Sequence, residues 1–146
     1  MEHDETPPPL SFEAEHRRDE TAEKALFAGL SVHSAGLGLP GDWTPHTILG
    51  RDPEGAIKAG IRFFIVYEWL FVQMLWVADP YRGRGIGSRL MSEAEDAARR
   101  RHCRGAYLDT FTFQAPKFYE RLGYREFGRL DGYPPGHSRV WLAKRL

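Results

Sequence analysis

The stretch Leu75–Met91, LWVADPYRGRGIGSRLM, decides the fold. It ends an apolar run, WLFVQMLWV over 69–77, whose near-continuous hydrophobicity predicts a central strand covered on both faces. Asp79-Pro80-Tyr81 is a turn, and Arg82-Gly83-Arg84-Gly85-Ile86-Gly87-Ser88 is a glycine-rich loop. Leu90, Met91, Ala94, Ala97 and Ala98 then mark one face of an amphipathic helix ending near His102. Glu95/Arg99 and Asp96/Arg100 stand four residues apart on its outside. A strand that passes through glycines into a helix N-terminus suits an anionic ligand. Glycine lets backbone N–H groups approach a phosphate, and the helix end adds partial positive charge. Arg82 and Arg84 can add charge-assisted hydrogen bonds. The same residues also read as a glycine-rich turn with solvated arginines, so the wider context has to separate the two.

Upstream, Met1–Pro9 combines acids with three consecutive prolines and is expected to be a mobile tail. Leu10, Phe12 and Ala14 alternate, predicting a first strand over 10–15. Ala22, Ala25, Leu26, Gly29 and Leu30 recur at helical spacing, and Ser31–Pro45 reads as a loop or broken helix. Strands are expected over 47–51 and 56–67, separated by the turn Asp52-Pro53-Glu54-Gly55. Downstream come a strand over 106–111, a short helix between Pro116 and Gly123, and two strands over 124–130 and 139–144. The domain organisation expected is a tail over 1–9 and a single domain over 10–146.

Composition narrows the function classes. Hydrophobic residues are 42% and charged residues 27%, which suits a globular core. Formal net charge is zero, so no nucleic-acid partner is expected; the seven arginines between Arg82 and Arg104 are interleaved with Glu93, Glu95 and Asp96, as on a solvated helix face. The halves differ, however. Residues 1–73 carry 6 Lys+Arg against 12 Asp+Glu, whereas 74–146 carry 14 against 8, and a polyanion would prefer the second half. The apolar run over 63–77 is too short to span a bilayer and is broken by Glu68 and Gln73, so no membrane span is expected. The N-terminus lacks the features of a signal peptide, and Cys103 is the one cysteine; both point to the cytoplasm. No close His/Cys ligand pair occurs, and no metal is expected.

The commoner phosphate loops do not fit: GxxxxGK[ST] is absent, and GxGxxG fails because its last glycine falls on Ser88 or Leu90. Arg82, Gly85 and Gly87 instead resemble the R/Q-x-x-G-x-G/A pyrophosphate motif of the GNAT superfamily of N-acetyltransferases. A second stretch, LDTFTFQAPKFYERLGY over 108–124, resembles that family's A-x-x-x-Y-x-x-x-G-[FY] segment at Ala115, Tyr119, Gly123 and Tyr124. The resemblance runs from about Leu10 to the C-terminus and, with YPPGH over 133–137, is closest to a group of small bacterial members. It implies an α/β (α+β mixed) GNAT acyl-CoA N-acyltransferase fold. Its sheet is central, mixed, mostly antiparallel and twisted, with splayed fourth and fifth strands, and helices flank it.

The resemblance also implies acetyl-CoA as co-substrate. Its pantetheine arm would lie on the backbone of Leu75, Trp76 and Val77, and its pyrophosphate on Arg82, Gly83, Arg84, Gly85, Ile86, Gly87 and Ser88. Thr112, Ala115 and Phe118 would complete the cofactor site, with Thr112 standing where many members have Asn. Tyr119 is implied as the catalytic group that reaches the CoA sulfur. Its alternative is a tyrosine that packs the short helix onto the sheet. Gln73 occupies the place of a frequent glutamate base, and an amide cannot accept a proton at neutral pH. Glu68, Asp109, His46 or a water chain are the remaining routes for the proton.

The acceptor is expected to be a small-molecule primary amine. Glu68, Gln73, Asp109, Phe111, Tyr133 and His137 are candidate contacts, and Trp43, Phe64, Tyr67, Trp69 and Phe71 supply further rings. The acidic first half favours a cationic amine drawn by Glu68, Asp109 or Asp131. A protein or peptide acetyltransferase and a non-catalytic acyl-CoA-binding module are the alternatives. A homodimer is compatible with the sequence. Cys103 lacks an activating partner in the sequence pattern and is not expected to be a nucleophile.

Overall fold

In the computed structural model, which describes residues 6–146, the first element is helix α1, Glu20–Gly36. Asp19 caps it by accepting a hydrogen bond from the Ala22 amide at 3.0 Å, while Glu20 and Glu23 face the positive end of the dipole. The helix continues unbroken through 31–36, where the sequence reading expects a loop or broken helix. No proline interrupts that stretch, and termination waits for Gly38, which adopts φ +76° while its amide and that of Leu39 bond back into the last turn. The strand expected over 10–15 does not form. Leu10 and Phe12 are exposed and the segment joins no ladder, because three alternating apolar residues beside Glu13 and Glu15 have too little surface to bury. The expected tail over 1–9 lies partly outside the described residues. Contacts divide the chain at Pro40/Gly41, and the remaining elements belong to the second unit.

That unit is a six-stranded sheet of β1 (His46–Arg51), β2 (Ile57–Val66), β3 (Trp69–Val77), β4 (Gly105–Phe111), β5 (Arg125–Asp131) and β6 (Ser138–Arg145). Their spatial order is β1-β2-β3-β4-β6-β5. Only β3 and β4 are parallel, joined by a 3₁₀ turn at Asp79–Tyr81 and helix α2, Ile86–Arg100. The short helix α3, Pro116–Arg121, follows β4.

Alternation along β2 turns Ala59, Ile61, Phe63 and Ile65 toward one face, where α2 covers them with Leu90, Met91, Ala94 and Ala98. Leu70, Val72, Ala106, Leu108, Val140 and Leu142 complete this core. The β3 strand is not covered on both faces as its composition suggests. Leu70 and Val72 are buried, but Met74 and Trp76 are half exposed, because no strand lies beside the second half of β3.

A carboxylate enters the core. Glu95 of α2 accepts hydrogen bonds from Lys144 Nζ at 2.6 Å and Tyr124 Oη at 3.2 Å, tying the helix to β6 and to the residue preceding β5. Burial, reinforced by the Glu95 carboxylate, holds the Tyr124 phenol far above the ordinary tyrosine range, so it remains a donor. Lys144→Met should leave the buried Glu95 with the more distant Arg99 as its remaining cation and cost about 3 kcal/mol. Adding Glu95→Gln should recover most of that loss, since the amide still accepts from Tyr124. Urea unfolding of the two variants checks both outcomes.

Candidate active site

Parallel pairing of β3 with β4 starts at Trp69/Gly105 and stops at Val72/Leu108. At that level β3 carries a bulge: Arg62 pairs with Met74 and Phe63 with Val72, leaving Gln73 unopposed. An extra residue bends a strand and increases its twist, so beyond it β3 and β4 diverge. Residues 73–77 keep β2 on one side and have no strand on the other, while Asp109–Phe111 continue only with β6. The result is a cleft with one open β3 edge, able to accept an extended ligand as a strand would.

The glycine loop closes the wide end of this cleft. Gly83 and Gly85 adopt φ +72° and +77°, which L side chains rarely adopt, and a Cβ on either would meet open space. Gly85 is the N-cap of α2 and provides no side-chain cap, so the first amides of the helix remain available to an anion. Arg82 has a structural share in the loop: its Nε donates to the Val77 carbonyl at 2.9 Å and its guanidinium pairs with Asp79. Arg84 lies over the Tyr81 ring. Gly87 is required for another reason, since a Cβ there would sit 3.2 Å from the Phe118 ring and 3.9 Å from Val77. The two sequence motifs, far apart in the chain, therefore meet at Gly87, Phe118 and Val77.

Tyr119 follows Phe118 on α3, its ring edge-on to Phe118 and Tyr124. Its hydroxyl has no hydrogen-bond partner among the described residues, and burial pushes the phenol up to about 12. Thr112 is committed to the scaffold: its hydroxyl accepts from the Ser138 amide at 2.9 Å and its amide donates to the Ser138 carbonyl, fastening the ends of β4 and β6. Ala115 is the N-cap of α3, ahead of Pro116 at its first turn.

The acceptor residues separate into two groups. Phe111, Tyr133 and His137 gather at the cleft end of β4: Phe111 meets Tyr133 at 5.4 Å and stacks on Phe113, which His137 meets edge-on. Glu68 belongs elsewhere. It lies in the tight β2–β3 turn and accepts from Arg104 at 2.6 Å, at the opposite end of a nine-residue strand from the glycine loop. Tyr67 and Trp69 share that far end, and Phe64 and Phe71 stack between it and the bulge. These rings form one chain of contacts and Phe111, Tyr133 and His137 belong to another, because strand direction carries residues that are near in sequence to different ends of the sheet.

His46 is also remote. It stacks on Phe63 on the α2 face of β1, two strands from the cleft. Asp109 is on the cleft side, but its carboxylate already accepts from Arg139 Nε at 2.8 Å, and Arg139 also donates to Tyr133 Oη. Neither Glu68 nor His46 is positioned as a base, and Asp109 is held by a guanidinium. Arg139 and Trp141, which the sequence reading did not single out, share this face; their alternation with buried Val140 and Leu142 was the available signal. Cys103 is buried and its thiol is pushed up by desolvation, as an inert packing residue requires. Among the described residues no three His, Cys, Asp or Glu side chains gather to hold a metal, and no helix is long and apolar enough to cross a membrane.

Comparison with known proteins agrees with this geometry. The family model of the acetyltransferase (GNAT) family matches residues 9–124. An acetyltransferase of Agrobacterium fabrum is 34% identical over 94% of this chain and 100% of its own. The blasticidin-S acetyltransferase of Streptomyces morookaense is 42% identical over 64% of this chain and 69% of its own. Among solved structures, an acetyltransferase from Agrobacterium tumefaciens superposes with a TM-score of 0.85 at 35% identity, covering 94% of this chain and 100% of that one. The chain belongs to the GNAT family of acetyltransferases.

Tyr119 gives the site a measurable pH signature. An unfolded tyrosine ionises near 10, whereas the folded phenol holds its proton to about 12. The unfolded state therefore loses its proton first. The stabilisation is intact below pH ~10 and is lost as pH rises toward the folded value, by up to about 2.5 kcal/mol. Tyr119→Phe lacks this titration, so across that window its denaturation midpoint should hold against that of wild type, which falls below it.

Proposed function

We propose that this enzyme transfers the acetyl group of acetyl-CoA directly to a primary amine of a small molecule. The observation that carries this reading is the unpaired edge of β3 from Gln73 to Val77, which leads directly to the open N-terminus of α2. The cofactor's pantetheine amides would take the place of the missing strand, and its pyrophosphate would meet the loop amides from Arg82 to Ser88. Blasticidin-S acetyltransferase, a relative of comparable core sequence, supports a small acceptor. So do the rings of Phe111, Tyr133 and His137 around the acceptor end of the cleft.

The reaction follows from these parts. A neutral amine attacks the thioester carbon, and the carbonyl oxygen gains negative charge that amides on the open β3 edge would stabilise. The C–S bond then breaks as the C–N bond is completed. A phenol at about 12 is a weaker acid than an ordinary thiol near 8.5, so full proton transfer from Tyr119 to the thiolate is uphill. Tyr119 would instead hydrogen-bond the departing sulfur, while the surplus proton leaves the attacking nitrogen. Gln73 cannot accept that proton, and water in the exposed cleft is the remaining route.

Gly85→Glu, which adds bulk and a negative charge to the anion site at a left-handed backbone position, should abolish CoA binding in calorimetry while the chain remains folded. Unchanged affinity would remove the loop from the cofactor site. Tyr119→Phe keeps the ring packing and should lower kcat by a factor on the order of ten to a thousand, with the KM for acetyl-CoA little changed. Undiminished kcat would leave the residue a purely structural role.

A further inference from the structure

The acceptor side holds an unbalanced positive charge. Arg62 projects from β2 on the face opposite α2, the face it shares with its cross-strand partner Met74 and with Phe64. Its Nε is enclosed and has no hydrogen-bond partner, and among the described residues no carboxylate pairs with it. The Phe64 ring centre lies 5.7 Å from its guanidinium carbon. Burying the Nε–H without an acceptor costs free energy, and an unpaired buried polar atom in a folded protein calls for a physical reason.

Its place supplies one. Met74 is the residue immediately after the bulged Gln73, where β3 loses β4 as a neighbour, and β2 lies only about 4.8 Å from β3. Arg62 therefore stands beside the point at which the acyl end of an extended cofactor would finish. The acids once expected to draw a cation do not offset it. Glu68 is paired with Arg104, Asp109 with Arg139, and Asp131 accepts from Ser138 Oγ at 2.7 Å.

Resting on the acetyl-transfer reading above, we propose that Arg62 determines acceptor specificity by binding a carboxylate on the acceptor, so that the substrate class is amino-acid-like amines rather than polyamines. The carboxylate would occupy the terminal nitrogens of the guanidinium, and the amine a short distance away would face the thioester. A planar fork of donors suits a carboxylate better than a lysine ammonium does. Acceptors without the carboxylate would leave the guanidinium without a counter-charge.

The test uses the full chain with acetyl-CoA and three sets of acceptors: the standard L-α-amino acids, their carboxamides, and spermidine. Wild type, Arg62→Gln and Arg62→Lys are compared. Wild type should acetylate at least one amino acid with a lower KM than its carboxamide. Arg62→Gln should raise the KM for that acid about 10- to 100-fold. The carboxamide and spermidine should change less than about threefold, and Arg62→Lys should restore part of the loss. Taking the ratio of variant to wild type for each compound cancels the different basicities of acid and amide. Melting temperature and the KM for acetyl-CoA act as controls for folding and cofactor binding. Acid and carboxamide falling together, or wild type preferring spermidine, would overturn the proposal. If no amine is acetylated although CoA binds, it is the acetyl-transfer reading that fails, and calorimetry of the amino acids with CoA-loaded protein still decides the carboxylate site. Binding that Arg62→Gln abolishes would support it; no binding to wild type would refute it.

Discussion

The bulge at Gln73 is the constraint from which the site follows. A sheet of six strands gains most by pairing each interior edge along its whole length, yet β3 and β4 pair for only four residues each before they part. Because one extra residue sits opposite the Arg62/Phe63 link, the second half of β3 is re-aimed, and its backbone groups face a cleft instead of a neighbour. Met74 and Trp76 become half exposed as a consequence. Hydrogen-bonding capacity withheld from the sheet is thereby kept for a ligand whose own amides can complete it.

Around that opening the structure separates rigid support from reactive surface. Support comes from α2, whose small and apolar face packs closely on β2 and β3, and from the buried Glu95, which fastens the helix to Lys144 and Tyr124. The reactive parts are poorly satisfied by comparison. They include an uncapped helix N-terminus, two glycines in left-handed conformations, a phenol without a partner, and a guanidinium whose enclosed Nε–H has no acceptor. Each is a local cost that a ligand could relieve, and all of them lie toward the divergent half of β3. Unsatisfied groups gathered in one place are what a binding cleft needs, and the closely packed remainder of the sheet offsets them.

The charge arrangement also changes character once partners are known. The acidic first half of the chain suggested attraction of a cationic amine, but net charge by segment ignores pairing. Arg104 and Arg139 come from distant positions to neutralise Glu68 and Asp109, and what remains uncompensated at the cleft is a cation. Electrostatic steering depends on the charges left after ion pairing, and those are distributed by topology.

How far the sequence carries can be read from particular residues. Glycines at 83, 85 and 87, the apolar stripe of α2 and the Ala115–Tyr124 segment are local patterns: their meaning is set by backbone conformation and helical period within a few residues, so the loop, the crossover and the family were legible. Loop and helix boundaries were less so, because helix α1 runs on to Gly36 where only weak breakers occur, and the alternation at 10–15 lacked enough apolar surface to make a strand. The surroundings of the divergent half of β3 were legible only in part. Whether Phe71 or Phe111 borders the cleft, whether Glu68 is free or paired, and whether Arg62 has a counter-ion depend on strand order, direction and the register at the bulge. Those are contacts between residues tens of positions apart. By itself the sequence determined the glycine turn that leads β3 into α2; only the tertiary structure decided which side chains border the divergent half of β3, because pairing across strands is a property of the assembled sheet and of no single segment.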